Sequence, residues 1–556
     1  MVPLHWTPYD SGAWVEDSST TFWADGSVAE VCGFVQEVTR SLAALPLERV
    51  DVERDVLASE AADRPSSFQR RLLARRFGPA TYGVANFLEL GLRSVAAAEV
   101  DEWRRRHFTA GNAALWMTAR PPDDLTLDLP PGEAVRPPEP EPIPGLRLPA
   151  QSAEWDGDVA FGMLARRSFA LGAVGPIAER RAEDRLRVER GLTYGVEWEL
   201  FPLTAHAAHL FLSADSTDAN AIAVRDGIQA VLEELAEAGP TEAELERGLA
   251  RAERWMHDSA FPGTALDRAA REHLRGAPLV QPAELLEKRR QVSPAAAAAA
   301  LREALPTQIV LLPEAAAPAR GRFAEYGRDL PTAEGAGYPQ RRRRVARPRG
   351  EVVLGSDGAS FVCKGEEPVT VRFDEAVALI EDKPGTFSVK SIDATTLEVT
   401  PWDLKRGEQL ERAVRERVPG SLWVPHAPNV AALARLADAL AKPTRVSAEL
   451  YELPEVLSST ETPLALAEAR RRRRRVGTVV ATDRRLLWLY AGEPEDSVEL
   501  PWEAVKAVRL EGRTLVVESG DEPLRFRRVA PAPAAEAIVR AFAKRPGAAV
   551  PPPADP

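Results

Sequence analysis

The segment Leu47–Glu60 reads LERVDVERDVLASE and carries two carboxylates, Glu53 and Glu60, seven residues apart. Because an α-helix turns once every 3.6 residues, this spacing places both side chains on one face, two turns apart. The segment therefore predicts a helix that presents a pair of carboxylates. Gly-containing segments follow downstream, at Phe77-Gly78, Tyr82-Gly83, Gly91-Leu92 and Phe108-Thr109-Ala110-Gly111-Asn112. The last of them leads into a predicted strand at 114–117, Ala114-Leu115-Trp116-Met117.

The residues before this segment predict a strand followed by a helix. Residues 20–23 are β-prone, and Ser27 with Glu30 forms a capping box at a helix start. Apolar residues then recur at helical spacing from Val28 to Leu42. Together with the later strand, this pattern predicts an α/β block in which helices cover a sheet.

A second block repeats this alternation of strands and helices. It contains the motif Arg187-Val188-Glu189-Arg190-Gly191-Leu192-Thr193-Tyr194, a period-2 run through Trp198, an apolar strand at 210–212 and a helix with apolar spacing from Val224 to Leu235. Thr241 and Glu244 form a further capping box. The second block is therefore also predicted to be a sheet covered by helices.

From about Thr20 to Phe261, the order and spacing of these motifs resemble the insulinase/pitrilysin family of zinc peptidases. The resemblance extends over roughly the first 320 residues. It implies that Glu53 is a supporting carboxylate and that Glu60 is the third zinc ligand. It also implies that Arg187 and Tyr194 reach across a clamshell, hold the substrate backbone and polarise the scissile carbonyl. Both residue types suit that role, since arginine has a fixed set of donors and tyrosine donates one hydrogen bond without ionising.

The sequence departs from this family at the zinc motif itself. A family enzyme needs His-x-x-Glu-His on a helix, where two histidines bind zinc and the glutamate activates water. No pair among the seven histidines has that spacing with a glutamate between: His5, His107, His206, His209, His257, His273 and His426. In the family the motif precedes the paired glutamates by several tens of residues, and Ala13–Trp23 resembles the strand after it. We therefore expect the missing part to precede Met1.

Each site residue also has a purely structural interpretation. Glu53 and Glu60 could be solvated carboxylates, which are common at this spacing on exposed helices. Arg187 could be an arginine at a helix end and Tyr194 a tyrosine at the edge of a core. Even as a ligand, a lone Glu60 is a poor zinc site, because zinc sites use at least three protein ligands.

Two Pro-rich stretches divide the chain and are predicted to be linkers. The predicted organisation is α+β: two insulinase-like α/β half-domains forming a clamshell, followed by two small β-rich pleckstrin-like modules. The predicted boundaries are a truncated catalytic-type domain at 1–120, a linker at 121–150, a substrate-binding domain at 151–327, a linker at 328–350, and modules at 351–428 and 429–556.

The pleckstrin-like prediction depends on the last 200 residues. Phe373-Asp374-Glu375-Ala376-Val377 is echoed by Pro501-Trp502-Glu503-Ala504-Val505, and each is followed by a β-rich run. Gly-rich turns separate short strands, and a helix closes each half, at 408–417 and 534–542. A bent sheet closed by one C-terminal helix resembles small barrels of the pleckstrin-homology type.

Composition limits the classes of partner. The net charge of −12 argues against broad nucleic-acid binding. The arginine runs 341–344 and 470–475 are interpreted as solvated, and the alternative is an electrostatic contact with acidic lipid or RNA. Cys32 and Cys363 cannot form a disulfide framework. The sequence contains neither a membrane-spanning apolar stretch nor a secretory signal. These features predict a cytoplasmic protein.

The resulting functional expectation is an insulinase-like protein that is catalytically incomplete as written. It would be a pseudopeptidase that binds peptide or unfolded polypeptide, or a subunit that completes the site of an insulinase-like partner or of a second copy of itself. The alternative is an active zinc endopeptidase whose motif-bearing segment is missing from this chain. A scaffold that uses only the tail modules is a third, weaker interpretation. Zinc is expected for the family, but not for this chain alone.

Overall fold

A computed structural model describes residues 9–16, 18–62, 67–86, 90–93, 95–155, 158–316, 322–341, 349–383, 386–424, 432–433, 435–436, 453, 456–457, 461–471, 475–489, 498–520 and 522–544. The chain forms two compact units. The first extends to Leu330 and includes Ile392–Ala394, and the second comprises the rest of the chain from Pro331. Both units mix helices and strands, as the sequence predicts. Along the described residues, no helix combines the length and the apolar character that crossing a membrane requires.

The first unit opens with a β-hairpin and four helices. Ser27 accepts a hydrogen bond from the Glu30 N–H, and the Glu30 carboxylate accepts one from the Ser27 N–H, so the predicted capping box is confirmed. The predicted strand at 114–117 is wrong, because these described residues pair with no neighbouring strand. Among its described residues, the first block therefore contains a two-stranded sheet, β1 and β2, rather than a larger one. Its elements are β1 (Asp10–Val15), β2 (Thr20–Asp25), α1 (Val28–Ala43), α2 (Val50–Ala62), α3 (Phe68–Phe77) and α4 (Ala97–His107).

A six-stranded sheet forms the centre of the first unit, with strand order β5-β6-β4-β7-β3-β8. β4 lies between β6 and β7, antiparallel to both, while β3 runs parallel to β7 and β8. β5 is an edge strand. The strands are β3 (Ala150–Trp155), β4 (Val159–Arg166), β5 (Val196–Pro202), β6 (Ala207–Ala214), β7 (Ile309–Pro313) and β8 (Ala324–Glu325).

Helices cover one face of this sheet and bury the main core. β4 and β6 are buried on both faces because each face has a covering layer. Val224, Ile228, Val231 and Leu235 of α6 are fully buried in this core. Thr241 caps α7 as predicted. The helices of this part are α5 (Phe169–Glu183), α6 (Ala221–Ala238), α7 (Glu242–Trp255), α8 (Phe261–Leu274), α9 (Pro282–Arg290) and α10 (Pro294–Ala304).

The opposite face of the sheet is covered by α3, a helix from the first block. Leu72 and Phe77 of α3 pack with Phe211 of β6 and Leu311 of β7 in one buried cluster. The sequence predicts a boundary near residue 120 between two half-domains. In the structure, α3 shares a core with the six-stranded sheet of the second block.

The second unit begins with eight short strands that share one apolar core with a helix. The strands form two four-stranded sheets, ordered β12-β11-β10-β9 and β15-β14-β13-β16. β9 lies inside the stretch predicted to be a linker, 328–350, and contributes Tyr338 to the core. The elements are β9 (Ala336–Pro339), β10 (Gly350–Leu354), β11 (Gly358–Cys363), β12 (Val369–Arg372), β13 (Ala376–Lys383), β14 (Thr386–Ser391), β15 (Thr396–Val399), α11 (Gly407–Arg417) and β16 (Trp423–Val424).

The last part of the chain is a seven-stranded antiparallel sheet with order β20-β19-β18-β17-β23-β22-β21, packed against one helix. The two echoed motifs adopt the same local structure, since Phe373–Glu375 and Trp502–Ala504 are both 3-10 turns that follow a strand. The closing helices fall where the sequence predicts them, whereas the pleckstrin-like assignment stays a prediction. The elements are β17 (Pro463–Arg471), β18 (Arg475–Thr482), β19 (Arg485–Leu489), β20 (Val498–Pro501), β21 (Ala507–Glu511), β22 (Thr514–Glu518), β23 (Leu524–Ala530) and α12 (Ala532–Ala543).

Candidate functional site

Helix α2 carries both predicted carboxylates, and both are exposed. Glu53 accepts hydrogen bonds from the Arg49 guanidinium one turn earlier, at 3.0 Å from Nε and 2.8 Å from Nη2. Glu60 lies seven residues further on in the same helix and faces solvent. Within the described residues, neither carboxylate forms a hydrogen bond or ion pair with Arg187 or Tyr194. Glu53 and Glu60 therefore lie in one helix, as predicted. They have no direct contact of this kind with the other two predicted site residues.

The side chains of the described residues do not fit a zinc ion. Among the residues described, no group of three histidines, cysteines, aspartates or glutamates is close enough to hold a metal. His206 is exposed in a turn and His209 is buried on β6, while His5 and His426 fall outside the described residues. Glu60 therefore has no partner ligands within this part of the chain.

Arg187 and Tyr194 are brought together by the turn that ends α5. The helix continues as a π-helical turn, Asp184–Val188, in which the Glu189 N–H donates to Asp184 O at 3.0 Å. Gly191 has a φ of 60°, in the left-handed region where glycine carries no steric cost. The chain then reverses, and the Leu192 N–H donates to Leu186 O at 2.8 Å. This reversal returns Tyr194 to the neighbourhood of Arg187.

The loop that carries Tyr194 is held by Asp215, which directly follows β6. The Asp215 carboxylate accepts hydrogen bonds from the Thr193 hydroxyl at 2.7 Å, from the Tyr194 N–H at 2.9 Å and from the Gly195 N–H at 2.9 Å. Partial burial acts to raise the pKa of Asp215, but these hydrogen bonds outweigh it and hold the pKa below its usual value. The loop is thus fixed by an ionised carboxylate at neutral pH.

The two side chains form a stacked pair that faces solvent. The Arg187 guanidinium carbon lies 5.2 Å from the centre of the Tyr194 ring, within the range of a cation–π contact. Arg187 Nη1 also donates to the Glu183 carboxylate at 2.9 Å. Tyr194 is 80% exposed. A hydroxyl and a guanidinium edge are therefore presented together on a fixed loop, and both can donate to carbonyl oxygens of a ligand.

Carboxylates surround this pair and extend along the edge strand β5. Burial raises the pKa of Asp158, and the neighbouring charge of Asp215 adds to this effect. Burial is also the largest cause of the raised pKa of Glu179, which accepts a hydrogen bond from the Trp198 N–H on β5. After burial, the charges of Asp215 and Glu197 raise the pKa of Asp158, and those of Glu183 and Glu197 raise the pKa of Glu179 against the opposing charge of Arg251. Several carboxylates therefore lie near one another along this strand.

As site residues, Arg187 and Tyr194 stay a prediction from the family resemblance, and the sequence patterns miss Asp215, which fixes their loop. Asp215 is separated from Tyr194 by 21 residues and enters the site only because β5 and β6 pair antiparallel. Its position after an apolar strand and before Ser216 and Thr217 is typical of many turn aspartates. A prediction of the β5–β6 hairpin register would have been the one available signal.

Comparisons with known proteins find solved structures of low similarity. No family model matches the chain, and no curated protein matches it. Similar solved structures include the inactive domain of an M16 peptidase from Pseudomonas fluorescens, with 15% identity and a TM-score of 0.43 over 55% of this chain and 81% of that one. A protease from Helicobacter pylori is 14% identical with a TM-score of 0.44, over 55% of this chain and 81% of that one. Pitrilysin is 16% identical with a TM-score of 0.37, over 56% of this chain and 38% of that one.

Proposed function

We propose that the protein is an insulinase-like pseudopeptidase that binds peptide or unfolded polypeptide at the Arg187–Tyr194 pair without cleaving it. The observation that carries this proposal is the position of Tyr194, exposed at the end of a loop that Asp215 fixes through three hydrogen bonds. An exposed aromatic residue on a loop that hydrogen bonds hold in place is arranged for contact with a ligand rather than for packing.

Preorganisation makes such a pair effective for binding. An extended peptide presents carbonyl oxygens at regular intervals, and the pair offers a guanidinium edge and a phenol hydroxyl in one place. Because the loop is already ordered, binding does not have to offset the entropy of fixing it. The surrounding carboxylates favour peptides that carry lysine or arginine.

The absence of hydrolysis in this proposal follows from the missing histidine motif in the sequence and from the lack of a three-ligand set among the described residues. The second candidate is a zinc endopeptidase whose motif comes from a segment outside this sequence or from an insulinase-like partner subunit. The exposure of Glu53 and Glu60 on one helix supports this second candidate, because a second polypeptide could reach both carboxylates.

A direct test uses two fluorescent, unstructured peptides of equal length, one rich in lysine and one rich in glutamate. We expect the basic peptide to bind more tightly. Arg187→Ala should weaken it by about tenfold or more, because losing a hydrogen bond from a charged donor costs about 1.5–3 kcal/mol. The matched control is Arg166→Ala, which removes an exposed arginine of the same unit that pairs with Glu303. Equal affinity of wild type and Arg187→Ala would exclude Arg187 from the binding site.

The same preparation distinguishes the two candidates. After extensive dialysis, metal analysis should find no stoichiometric zinc, and the peptide should stay intact. One tightly held zinc per chain, together with cleavage that a chelator abolishes, would contradict the pseudopeptidase proposal and support the second candidate.

A further inference from the structure

Arg76 is a fully buried cation at the interface between α3 and the central sheet. Its Nε donates to His209 Nε2 at 3.1 Å, and its Nη2 donates to Gly162 O at 3.1 Å and to Thr307 O at 2.6 Å. Both Arg76 and His209 are 0% exposed. Among the described residues, the acceptors of this guanidinium are thus two carbonyls and an imidazole, and none is a carboxylate.

The hydrogen bond fixes the protonation state of His209. Because Nε2 accepts from Arg76, the single imidazole proton must lie on Nδ1, and the ring is neutral. A second proton would occupy the lone pair that Arg76 needs and would place two cations in contact. Burial, followed by the charge of Arg76, accordingly holds the pKa of His209 well below its usual value.

The surroundings offer no screening for a second charge. The His209 ring lies 4.3 Å from the Phe211 ring, and a Cβ on Gly162 would come within 2.6 Å of His209 Cε1. The charged group that faces His209 is Arg76 from α3. Tyr326, whose hydroxyl donates to Arg75 O, is the other titratable group that acts on Arg76. Burial lowers the pKa of Arg76 to about 9, so it is still protonated at neutral pH.

We propose that the Arg76–His209 hydrogen bond is an acid-sensitive latch, which holds α3 on the sheet and releases it when His209 takes up a proton. Released α3 would uncover the apolar cluster formed by Leu72, Phe77 and Phe211. The latch is independent of peptide binding at Arg187, since it uses the opposite face of the sheet.

The direction of the pH effect follows from linkage. The unlatched state has an exposed histidine with a pKa near 6.5, whereas the latched state binds the proton only at a much lower pH. The latch is therefore fully stable above about pH 6.5 and weakens as the pH falls below that value. For a single proton, the opening constant rises by at most about tenfold per pH unit.

Hydrogen exchange of the full-length protein tests this directly. Protection of α3 amides, corrected for intrinsic exchange, should fall between pH 7.5 and pH 5 by tenfold or more, while protection of α6 amides should stay nearly constant. This comparison uses the wild type alone. Equal changes in α3 and α6 across that range would overturn the latch.

Two variants identify the titrating group. His209→Gln keeps an oxygen that can accept from Arg76 Nε but cannot be protonated, so α3 should lose its acid response. His206→Gln is the matched control, because His206 is exposed three residues earlier and should leave the response unchanged. An acid response that persists in a folded His209→Gln variant would assign the effect to another group, and the proposal would fail.

Discussion

Asp215 Oδ1 accepts a hydrogen bond from the Tyr194 N–H at 2.9 Å, across the hairpin formed by β5 and β6. Two further donors, the Thr193 hydroxyl and the Gly195 N–H, reach the same oxygen. One carboxylate therefore holds the backbone of the loop that carries an exposed tyrosine. The site depends on a residue that would not itself touch a ligand.

We predict that Asp215→Ala weakens peptide binding at Tyr194 although Arg187 and Tyr194 are both intact. The loop would lose three hydrogen bonds to an ionised acceptor, and binding would then have to order it. The substitution should lower the free energy of unfolding by only about 1 kcal/mol, because the carboxylate is solvent-exposed and water screens its hydrogen bonds. Calorimetric titration with the basic peptide and urea unfolding measure the two effects separately.

The pKa of Asp215 gives this prediction a pH dependence. Because its pKa is lowered in the folded state, the stabilisation is present in full above the unfolded value near 3.8 and is lost as the pH falls through the lower folded value. Asp218→Asn, at an exposed position three residues later, serves as the control. An Asp215→Ala variant that binds like wild type would show that the loop holds its conformation without the carboxylate.

A second prediction concerns Glu244, which joins α7 to α5. Arg181 Nε and Nη2 donate to its two oxygens at 2.8 and 2.7 Å, and its carboxylate also accepts from the Thr241 N–H in the capping box. The hydrogen bond from Arg181 is the largest cause that lowers the pKa of Glu244, to about 2. Glu244→Gln should destabilise the first unit by about 1–2 kcal/mol at neutral pH.

The acid dependence of this contact has a definite sign. Its contribution is full above the unfolded pKa near 4.5 and is lost progressively as the pH falls towards 2. The difference between wild type and Glu244→Gln in urea unfolding should therefore shrink between pH 5 and pH 2. Glu246→Gln, exposed on the same helix, should behave like wild type. A constant difference across that range would mean that the charge on Glu244 is unimportant.

The features that the sequence predicts correctly are local ones. The capping boxes at Ser27 and Thr241 involve residues three apart, and both form in the structure. The apolar spacing of α6 also predicts its buried face. In each case the interacting residues are close in the chain, so local spacing and turn chemistry suffice.

The features that the sequence misses depend on distant partners. Residues 114–117 have a strand-like composition, but a strand needs a neighbour to accept its hydrogen bonds, and composition does not provide one. The contact between Arg76 and His209 spans 133 residues. It shows that α3 packs on the six-stranded sheet. The Pro-rich stretch between α3 and that sheet instead favours separate domains. Asp215 is missed for the same reason.

A third prediction concerns the boundary of the second unit. β9 pairs with β10 and contributes Tyr338 to the core, although it precedes Gly350. A fragment that begins at Pro331 should therefore unfold cooperatively in urea, whereas one that begins at Gly350 should be less stable or fail to fold. Circular dichroism across a urea series measures both. Equal stability of the two fragments would make β9 dispensable, and two non-cooperative fragments would mean that the second unit needs the first.

The last prediction concerns the carboxylates on α2. Glu53 and Glu60 are exposed on one helix, and Glu60 is the residue that the resemblance to the insulinase family assigns as a zinc ligand. We predict that a helical polypeptide carrying His-x-x-Glu-His, fused upstream or supplied as a partner subunit, creates a three-ligand zinc site with Glu60. Such a site leaves one position open for water, and it should confer peptide cleavage that a chelator abolishes.

Three substitutions separate the roles within that assembly. Glu60→Gln should impair zinc binding, because it replaces a charged ligand by a neutral amide, whereas Glu53→Gln should keep the metal and lower activity. Tyr194→Phe should also keep the metal and mainly slow turnover, because it removes only the hydroxyl that would polarise the scissile carbonyl. Zinc content by metal analysis and cleavage of the basic peptide are measured on the same samples. Zinc that is retained after Glu60→Gln would refute the ligand assignment, while an assembly that binds zinc without cleaving peptide would place the deficiency at Arg187 and Tyr194.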